Sequence, residues 1–395
     1  MPARCVTQHT FARRGTGQPT GMPQSDPSTS TRARHAEPAK EAGAPEPAGN
    51  RDAFFDNAKY LAIVLVAVGH AWEPLRDDSK VVTALYTTVY AFHMPAFIII
   101  SGYFSRSFDA APRRIQRLVT GVALPYVIFE VAYTLFTRWS DQAPDRPISL
   151  LEPLYLTWFL AALFIWRLTT PLWRIVRWPL PLALGVAMLA TMSSGIGEDL
   201  DLQRALQFLP YFVLGLCLKP EHFELVRHRA VRVLAVPVLV SAFAVAYWSR
   251  PYMSPAWFYH RDSAEEIGAP ALAGPVMTLA VFGCSTVLVV CFLALVPRRR
   301  MWFTALGAGT LYGYLLHGFV VQGVKPFHVY DYVHGPLGVA AVSVVAAVVV
   351  TLLCTSAVRR VFRFAVEPRM AWFFEAAAGR RTTTAPSPQR RVGVE

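Results

Sequence analysis

Charged residues are scarce in this chain. Of 395 residues, 16% are charged and 54% are hydrophobic, whereas soluble domains carry about 25% charged residues. The apolar residues form runs of about 17 to 22, the length of helix that crosses a hydrocarbon core of about 30 Å. The shortage of charge therefore argues against a soluble domain. It indicates an all-α, polytopic integral membrane protein in contact with a lipid bilayer.

Cysteine frameworks are missing as well. The chain has five cysteines, most of them inside apolar runs, and their spacing matches neither a disulfide framework nor a zinc site. We therefore expect no metal cofactor. The formal net charge of +12 comes from arginines in short loops, not from one basic face with base-reading side chains, so nucleic acid is not an expected partner.

Hydropathy predicts about ten transmembrane helices between two polar tails. Residues 1–50 and the stretch from about 379 onward have few large apolar side chains and cannot offset chain entropy by burial. We expect a disordered cytoplasmic tail at 1–50, one transmembrane domain at 51–365, and a largely disordered cytoplasmic tail at 366–395. The first tail is too long and polar for a cleaved signal peptide. We place the helices near 54–72, 84–104, 117–137, 151–168, 179–196, 203–218, 231–249, 275–296, 302–323 and 336–357.

The content of Arg and Lys alternates from one predicted loop to the next. The loops after even-numbered helices are rich in Arg and Lys, whereas the intervening loops hold most of the loop acids. Because cytoplasmic loops are enriched in Arg and Lys, both termini should be cytoplasmic, in a multi-pass protein of the plasma membrane. The longest outer loop, 250–274, mixes aromatic residues with charges and prolines. This composition fits a lid over a site and equally an aromatic belt at the membrane interface.

Ionisable residues lie inside the first predicted helix, where they indicate a functional site. Lys59 and His70 are eleven residues apart, about three helical turns or roughly 16 Å, so they share one helix face. Lys59 lies in the cytoplasmic half. Asp56 and Glu73 place a carboxylate one turn from each of them, and Glu73 is suited to orient the imidazole of a general base. The alternative is that Lys59 snorkels inward and His70 anchors the helix at the interface.

The second predicted helix carries His93 near mid-membrane, beside Pro95. A histidine at this depth is costly unless it is paired. We expect Pro95 to open the helix, so that His93 and free carbonyls line a cavity; a histidine satisfied by a neighbouring helix is the alternative. Ser101, Gly102 and Tyr103 form a small-residue turn at the cytoplasmic end, which a ligand or another helix can approach closely.

These stretches resemble membrane-bound acyltransferase family 3, and within it the fucose 4-O-acetylase-like branch. That family carries a basic residue, ten residues and a histidine on its first helix, which Lys59 and His70 match, although arginine is common at the first position. Its second-helix motif is matched at 93–95 and 101–103. The resemblance runs over about 51–357. Further matches lie around Trp158, at 208–216 and in the segment that ends at His317 and Gly318.

The resemblance implies an enzyme that takes an acyl group from cytoplasmic acyl-CoA, most simply acetyl-CoA, to a hydroxyl of a carbohydrate or glycoconjugate acceptor outside the membrane. Read with the helix positions, it predicts three groups of residues. The predicted catalytic residues are His70, Glu73 and His93. The predicted donor-binding residues are Lys59, Ser101, Tyr103, Arg106, Arg113 and Arg114. The predicted acceptor-binding residues are Trp158, Arg204 and His317.

Several alternatives stay open at this point. His70 could act as a general base or carry the acyl group briefly. Helix packing is the more common role for a residue such as Trp158, and Arg204 is also interpretable as a solvated helix cap. The acceptor could be a lipid or a secondary metabolite. A transporter also combines many helices with intramembrane charges, but it should show inverted repeats with matching broken helices, and the sequence has no visible repeat.

Overall fold

The computed structural model describes residues 52–77, 79–140, 142–197 and 199–368. Within these residues the chain is α-helical, with short 3₁₀ and π segments and no strand. The α-helices of this part of the chain are α1 (Ala53–Trp72), α2 (Lys80–Tyr90), α3 (His93–Ser105), α4 (Pro112–Leu118), α5 (Leu124–Trp139), α6 (Trp158–Ile175), α7 (Pro179–Met192), α8 (Leu202–Cys217), α9 (Pro220–Val226), α10 (Arg229–Ser249), α11 (Ala273–Leu295), α12 (Thr310–Val324), α13 (Gly335–Leu353) and α14 (Ser356–Val366).

Six segments are long and apolar enough to cross a membrane. The other predicted spans form helices that are shorter or less apolar. The all-α membrane class is therefore confirmed, whereas ten crossings and cytoplasmic termini stay predictions. The predicted tails lie almost wholly outside the described residues. The six segments are Ala53–Leu75, Lys80–Ser105, Pro112–Trp139, Arg229–Ser249, Ala273–Leu295 and Gly335–Leu353.

The first helix, α1, lies at the centre of the helix bundle and packs against α3, α12 and α13. Asp52 caps its start, because its Oδ1 accepts a hydrogen bond from the Phe54 amide at 2.9 Å and so satisfies one of the free N–H groups of the first turn. The buried Asn57 side chain donates to the carbonyls of Pro297 and Arg299 at 2.8 and 3.0 Å. The Lys59 end of this helix is thus fixed by the surrounding chain.

The second predicted helix is broken just before His93. Helix α2 ends at Tyr90 and α3 begins at His93, with Phe92 at φ −134° and ψ −20° between them. Pro95 lies in the first turn of α3, where a backbone N–H has no intrahelical partner to lose. Proline has no N–H to give the carbonyl of Ala91, four residues earlier, and its ring crowds that carbonyl, so the break at Ala91 and Phe92 agrees with the expectation that Pro95 opens the helix. The break precedes His93 and leaves it at the start of a helix.

Helices α3 and α8 cross at two glycines. A Cβ on Gly102 would lie 3.1 Å from the Cα of Gly215, and a Cβ on Gly215 would lie 2.9 Å from the Tyr103 amide nitrogen. Small residues allow membrane helices to approach this closely. Of the two partners expected for the turn at 101–103, another helix is the one that lies against it.

The helix predicted at 151–168 begins later, at Trp158. Pro153 disfavours helical backbone at the residue before it. The buried Glu130 of α5 accepts a hydrogen bond from the Leu154 amide at 2.8 Å, so a side chain satisfies backbone that a helix would otherwise use. The segment 151–157 is consequently irregular, and it forms part of the wall of the cavity described below.

Helix α14 was not anticipated, because the last predicted helix ran on to 357. Its sequence, SAVRRVFRFAV, places arginines on one side, while Ala365 and Val366 are buried and Phe364 is exposed. A short basic amphipathic helix is typical of a membrane surface. The transmembrane domain therefore ends in an amphipathic helix rather than directly in a polar tail.

Candidate functional site

A cavity of about 560 Å³ opens at the His70 end of α1. Its walls come from α1, from the α2–α3 break, from the irregular segment before α6, from the start of α8 and from the loop between α10 and α11. The sequence places these pieces far apart, and the fold brings them together. The predicted site residues that line the cavity are His70, Glu73, His93, Trp158 and Arg204.

The imidazole of His70 is held by backbone. Its Nδ1 lies 2.9 Å from the carbonyl oxygen of Val66, one turn earlier. A carbonyl only accepts, so Nδ1 is the donor, and the neutral ring keeps a lone pair on Nε2. Glu73, expected to orient this ring, lies in a 3₁₀ turn beyond α1 and lines the same cavity, but the orienting contact is made by Val66. An imidazole with a fixed tautomer and a free Nε2 is suited to take a proton.

Two further histidines repeat this arrangement. In His93 and His317, Nδ1 lies 2.9 Å from the carbonyl four residues earlier. The His317 ring centroid is 5.4 Å from that of His70. His317 is 1% exposed, and its Nε2 has no hydrogen-bonding partner among the described residues. The fold therefore brings His317 next to His70, behind the cavity wall, while its predicted contact with the acceptor stays a prediction.

Two tyrosines complete this part of the wall and were not anticipated. The Tyr90 ring centroid lies 4.6 Å from that of His93, and the Tyr155 centroid lies 5.3 Å from that of His70. Tyr90 precedes His93 by three residues, a spacing that could have marked it. No spacing marks Tyr155, because the sequence placed it inside a helix that does not form there.

Arg204 lies on the cavity wall with its direction fixed. Its guanidinium carbon is 4.6 Å from the Trp158 ring centroid, its Nη1 is 2.9 Å from Asp201 Oδ2, and its Nε donates to the Tyr259 carbonyl at 3.2 Å. The side chain is 16% exposed, so Arg204 is not a solvated cap. Trp158 also stacks on Phe208 at 5.4 Å, which makes packing a large part of its role.

The loop predicted at 250–274 forms another wall. Tyr259 lines the cavity, and its hydroxyl oxygen accepts a hydrogen bond from Arg76 Nη1 at 2.8 Å. This contact joins the loop to the chain that follows α1. Tyr252, in contrast, is 78% exposed. The two interpretations of the loop thus apply to different residues: Tyr259 covers the site, and Tyr252 has the exposure of an interfacial aromatic.

His260 follows Tyr259 and is buried beneath the cavity. Its ring centroid lies 4.3 Å from that of Phe208. Burial, and to a smaller extent the nearby Arg204, lower the pKa of His260 to about 3. This histidine is therefore neutral at physiological pH, and it stabilises the loop by packing.

The predicted donor-binding residues lie away from the cavity. Lys59 Nζ pairs with Asp56 Oδ1 at 2.7 Å. The Tyr103 ring stacks on Phe55 with centroids 5.2 Å apart, and the Arg106 guanidinium carbon lies 3.7 Å from the Tyr103 centroid. These residues cluster around the start of α1, at the end opposite His70. Each of them already has a partner within the fold, and donor binding stays a prediction.

The remaining predicted donor-binding residues are less closely tied to that cluster. Arg113 and Arg114 lie on the short helix α4, and Arg114 Nε is 3.4 Å from Asp109 Oδ1. The Ser101 carbonyl accepts a hydrogen bond from Ser105 Oγ at 2.7 Å.

Across the part of the chain that the structure describes, no three His, Cys, Asp or Glu side chains are grouped so as to hold a metal ion.

Comparison with known proteins places these features in one family. The acyltransferase 3 family model, described as an acyltransferase domain, matches residues 52–357. Nodulation protein NolL of Sinorhizobium fredii is 26% identical over 306 residues, which cover 70% of this chain and 79% of that protein. Nodulation protein NolL of Mesorhizobium japonicum is 44% identical over 64 residues, or 15% of this chain and 17% of that protein. No solved structure matches the chain significantly.

Proposed function

Since this chain belongs to the acyltransferase 3 family and is an acyltransferase, we propose that it is a membrane-bound O-acyltransferase that moves an acyl group from cytoplasmic acyl-CoA to a hydroxyl of an extracytoplasmic sugar or glycoconjugate. Acetyl-CoA is the proposed donor, and the plasma membrane the proposed location. One observation carries the proposal: the imidazole of His70, with Nδ1 bound to Val66, faces a polar cavity large enough for a small acceptor.

His70 acts in this proposal as the general base. Its Nε2 accepts the proton of the acceptor hydroxyl while the hydroxyl oxygen attacks the carbonyl carbon of the thioester. A C–O bond forms, and the carbonyl π electrons move to the oxygen, which gives a tetrahedral oxyanion. Collapse of that intermediate breaks the C–S bond, and the imidazolium returns its proton to the leaving CoA sulfur. The base is regenerated, as general acid–base catalysis requires.

The polar lining supports a sugar acceptor over a lipid acceptor. The cavity is lined by the carboxylates of Glu73, Glu152, Asp201 and Asp262 and by the Arg204 guanidinium. Carboxylate oxygens accept hydrogen bonds from hydroxyl groups, and a guanidinium donates to their oxygens. Ligand sites usually combine such convergent polar groups with aromatic side chains. A lipid tail would offer these groups no hydrogen-bonding partner.

The donor would approach from the Lys59 end of α1. Lys59 and His70 lie on one helix, roughly 16 Å apart along its axis. If the phosphates of acyl-CoA bind at Lys59, the extended arm of the donor must therefore span this distance to bring the thioester to His70. The arginine distribution supports a cytoplasmic position for Lys59. Its ion pair with Asp56 means that the donor must share or replace that partner.

Mass spectrometry of cell-surface glycans and lipids from a deletion strain tests the function. Complementation with the wild-type chain should restore an increment of one acyl group on a carbohydrate-containing product, whereas His70→Ala at equal abundance should not. An increment found only on a lipid without a sugar would refute the proposed acceptor. No increment on any product would refute the transferase proposal itself.

Cysteine labelling tests the orientation. In a variant without native cysteines, single cysteines at the exposed positions Ser107, Arg177 and Arg298 should be protected from an impermeant thiol reagent in intact cells. Cysteines at Asp145 and Tyr252, also exposed, should react. The reverse pattern would place His70 at the cytoplasmic surface and exclude the proposed acceptor side.

A further inference from the structure

Tyr155 has an unusual backbone for its residue type. Its φ is +61°, a left-handed conformation that is costly for a bulky residue. The ring lines the cavity, and its centroid lies 5.3 Å from that of His70 at an interplanar angle of 69°. Strained backbone of this kind persists only where the surroundings impose it, and it is concentrated at functional sites. Tyr155 therefore combines a strained backbone with a position on the cavity wall next to His70.

The hydroxyl of Tyr155 has no role within the described fold. Its Oη is shielded from solvent and has no hydrogen-bonding partner among the described residues. Nearby buried tyrosines are satisfied: Tyr133 donates to the Leu315 carbonyl and Tyr314 to the Leu156 carbonyl, both at 2.7 Å. An unpaired buried hydroxyl costs free energy. Burial, and then the nearby carboxyl of Glu73, raise the pKa of Tyr155, so the hydroxyl keeps its proton and remains a donor.

The backbone on both sides of Tyr155 is held by side chains. Glu130 Oε2 accepts hydrogen bonds from the Leu154 amide at 2.8 Å and from Thr157 Oγ at 2.5 Å. On the other side, the Leu156 carbonyl is bound by the hydroxyl of Tyr314. These contacts fix the residues immediately before and after Tyr155. They hold its strained backbone in place before substrate arrives, and the contacts of its ring with those of His70 and Tyr133 limit the directions of its hydroxyl.

We propose that the Tyr155 hydroxyl donates a hydrogen bond to the oxygen of the acyl carbonyl and stabilises the oxyanion formed during transfer. The inference rests on the proposed acyl transfer. As the acceptor oxygen bonds to the carbonyl carbon, His70 Nε2 takes the hydroxyl proton and negative charge develops on the carbonyl oxygen. Tyr155 donates to that charge and keeps its own proton throughout. A fixed donor shielded from water is most effective when charge develops next to it.

Tyr155→Phe removes only the oxygen atom, and Tyr133→Phe is the matched control. In purified full-length protein with acetyl-CoA and a panel of methyl glycosides, Tyr155→Phe should lower kcat about 10²-fold and leave KM for acetyl-CoA within about twofold. Its Tm should not fall, because the lost hydroxyl has no hydrogen-bonding partner in the part of the chain that the structure describes. Tyr133→Phe should show the opposite pattern, a lower Tm with nearly unchanged kcat, because its hydroxyl binds Leu315.

Hydrolysis of acetyl-CoA without glycoside separates the possible roles of Tyr155. If the hydroxyl acts on the acyl carbonyl, Tyr155→Phe should slow hydrolysis and transfer by the same factor. A normal kcat, or a raised KM for the glycoside with normal hydrolysis, would overturn the inference and leave the transferase proposal intact. If the wild-type protein consumes no acetyl-CoA under either condition, both proposals fail together.

Discussion

The two ends of α1 carry its two predicted functional residues in opposite surroundings. At the His70 end, the backbone around the site is irregular, a cavity is open, and the rings of His70 and His317 lie side by side with Nδ1 bound to the helix. At the Lys59 end, the cation is paired with Asp56, and aromatic rings close around the start of the helix. Polar groups are left incompletely partnered at one end and are paired at the other.

This difference separates catalysis from donor binding. At the His70 end, the buried His317 Nε2 has no hydrogen-bonding partner among the residues described. An unpaired buried nitrogen costs free energy, so its retention indicates a group that can bind a substrate. A cation already paired, as Lys59 is, can bind a phosphate only by exchanging or sharing its partner. We infer that the catalytic end is preformed, whereas the donor end must rearrange when acyl-CoA binds.

The largest effect should come from removing the proposed base, His70. His70→Ala should reduce acyl transfer about 10²–10⁴-fold, the usual contribution of a general base, while the protein stays in the membrane at normal abundance. Product formation per mole of membrane protein measures the effect.

His70→Gln is the control for this prediction. It keeps a polar side chain of similar reach but lacks a comparable base, so it should fail as completely as the alanine variant. Substantial turnover in either variant would remove His70 from the mechanism, and the contrast between the two ends of α1 would lose its catalytic meaning.

A smaller effect is expected at the Lys59 end of α1. Lys59→Met keeps the chain length and loses the ammonium, so it should forfeit a charge-assisted contact of about 1.5–3 kcal/mol, or about one to two powers of ten in affinity. The loss should appear as a raised KM for acyl-CoA with little change in KM for the acceptor. Steady-state kinetics with each substrate varied in turn measures both.

Two variants sharpen the Lys59 prediction. Lys59→Arg keeps the charge and should retain most of the activity. Asp56→Asn removes the competing carboxylate, so donor affinity should stay equal or increase if Lys59 binds phosphate. An unchanged KM for acyl-CoA in Lys59→Met would show that the residue is only a snorkelling anchor at the Lys59 end of α1.

The parts of the site that could be predicted from sequence are those that depend on one helix. The separation of Lys59 and His70 follows from helical rise, and the family resemblance marks His93 and His317. The family motifs also brought Trp158 into the candidate site. None of these inferences required knowledge of how distant segments pack.

The parts that could not be predicted depend on long-range contacts. The irregular segment around Tyr155 exists because Glu130, 24 residues before Leu154, binds its amide, and no local pattern encodes that bond. The partner of His70 is a different case, because Glu73 has the right spacing to orient the ring, yet the contact is made locally by the Val66 carbonyl, four residues earlier in the same helix. Spacing predicts which groups can meet, and tertiary packing decides which of them do.

The last prediction concerns how the stability of the folded chain depends on pH through His260, at the cavity end. The pKa of His260 is about 3 in the folded chain, against about 6.5 for an unperturbed histidine. Between these values the unfolded chain binds a proton that the folded chain excludes, so stability falls as pH falls below 6.5. At pH 5 the loss of stability relative to pH 7.5 is about 2 kcal/mol.

His260→Phe keeps a ring against Phe208 and cannot titrate, so its Tm should decline less between pH 7.5 and 5 than that of the wild type. His334→Gln, which removes an exposed histidine, should leave the decline unchanged. Equal declines in the wild type and in His260→Phe would show that the protein accommodates a charge beside Arg204, and the cavity end would then be less rigid than its contacts indicate.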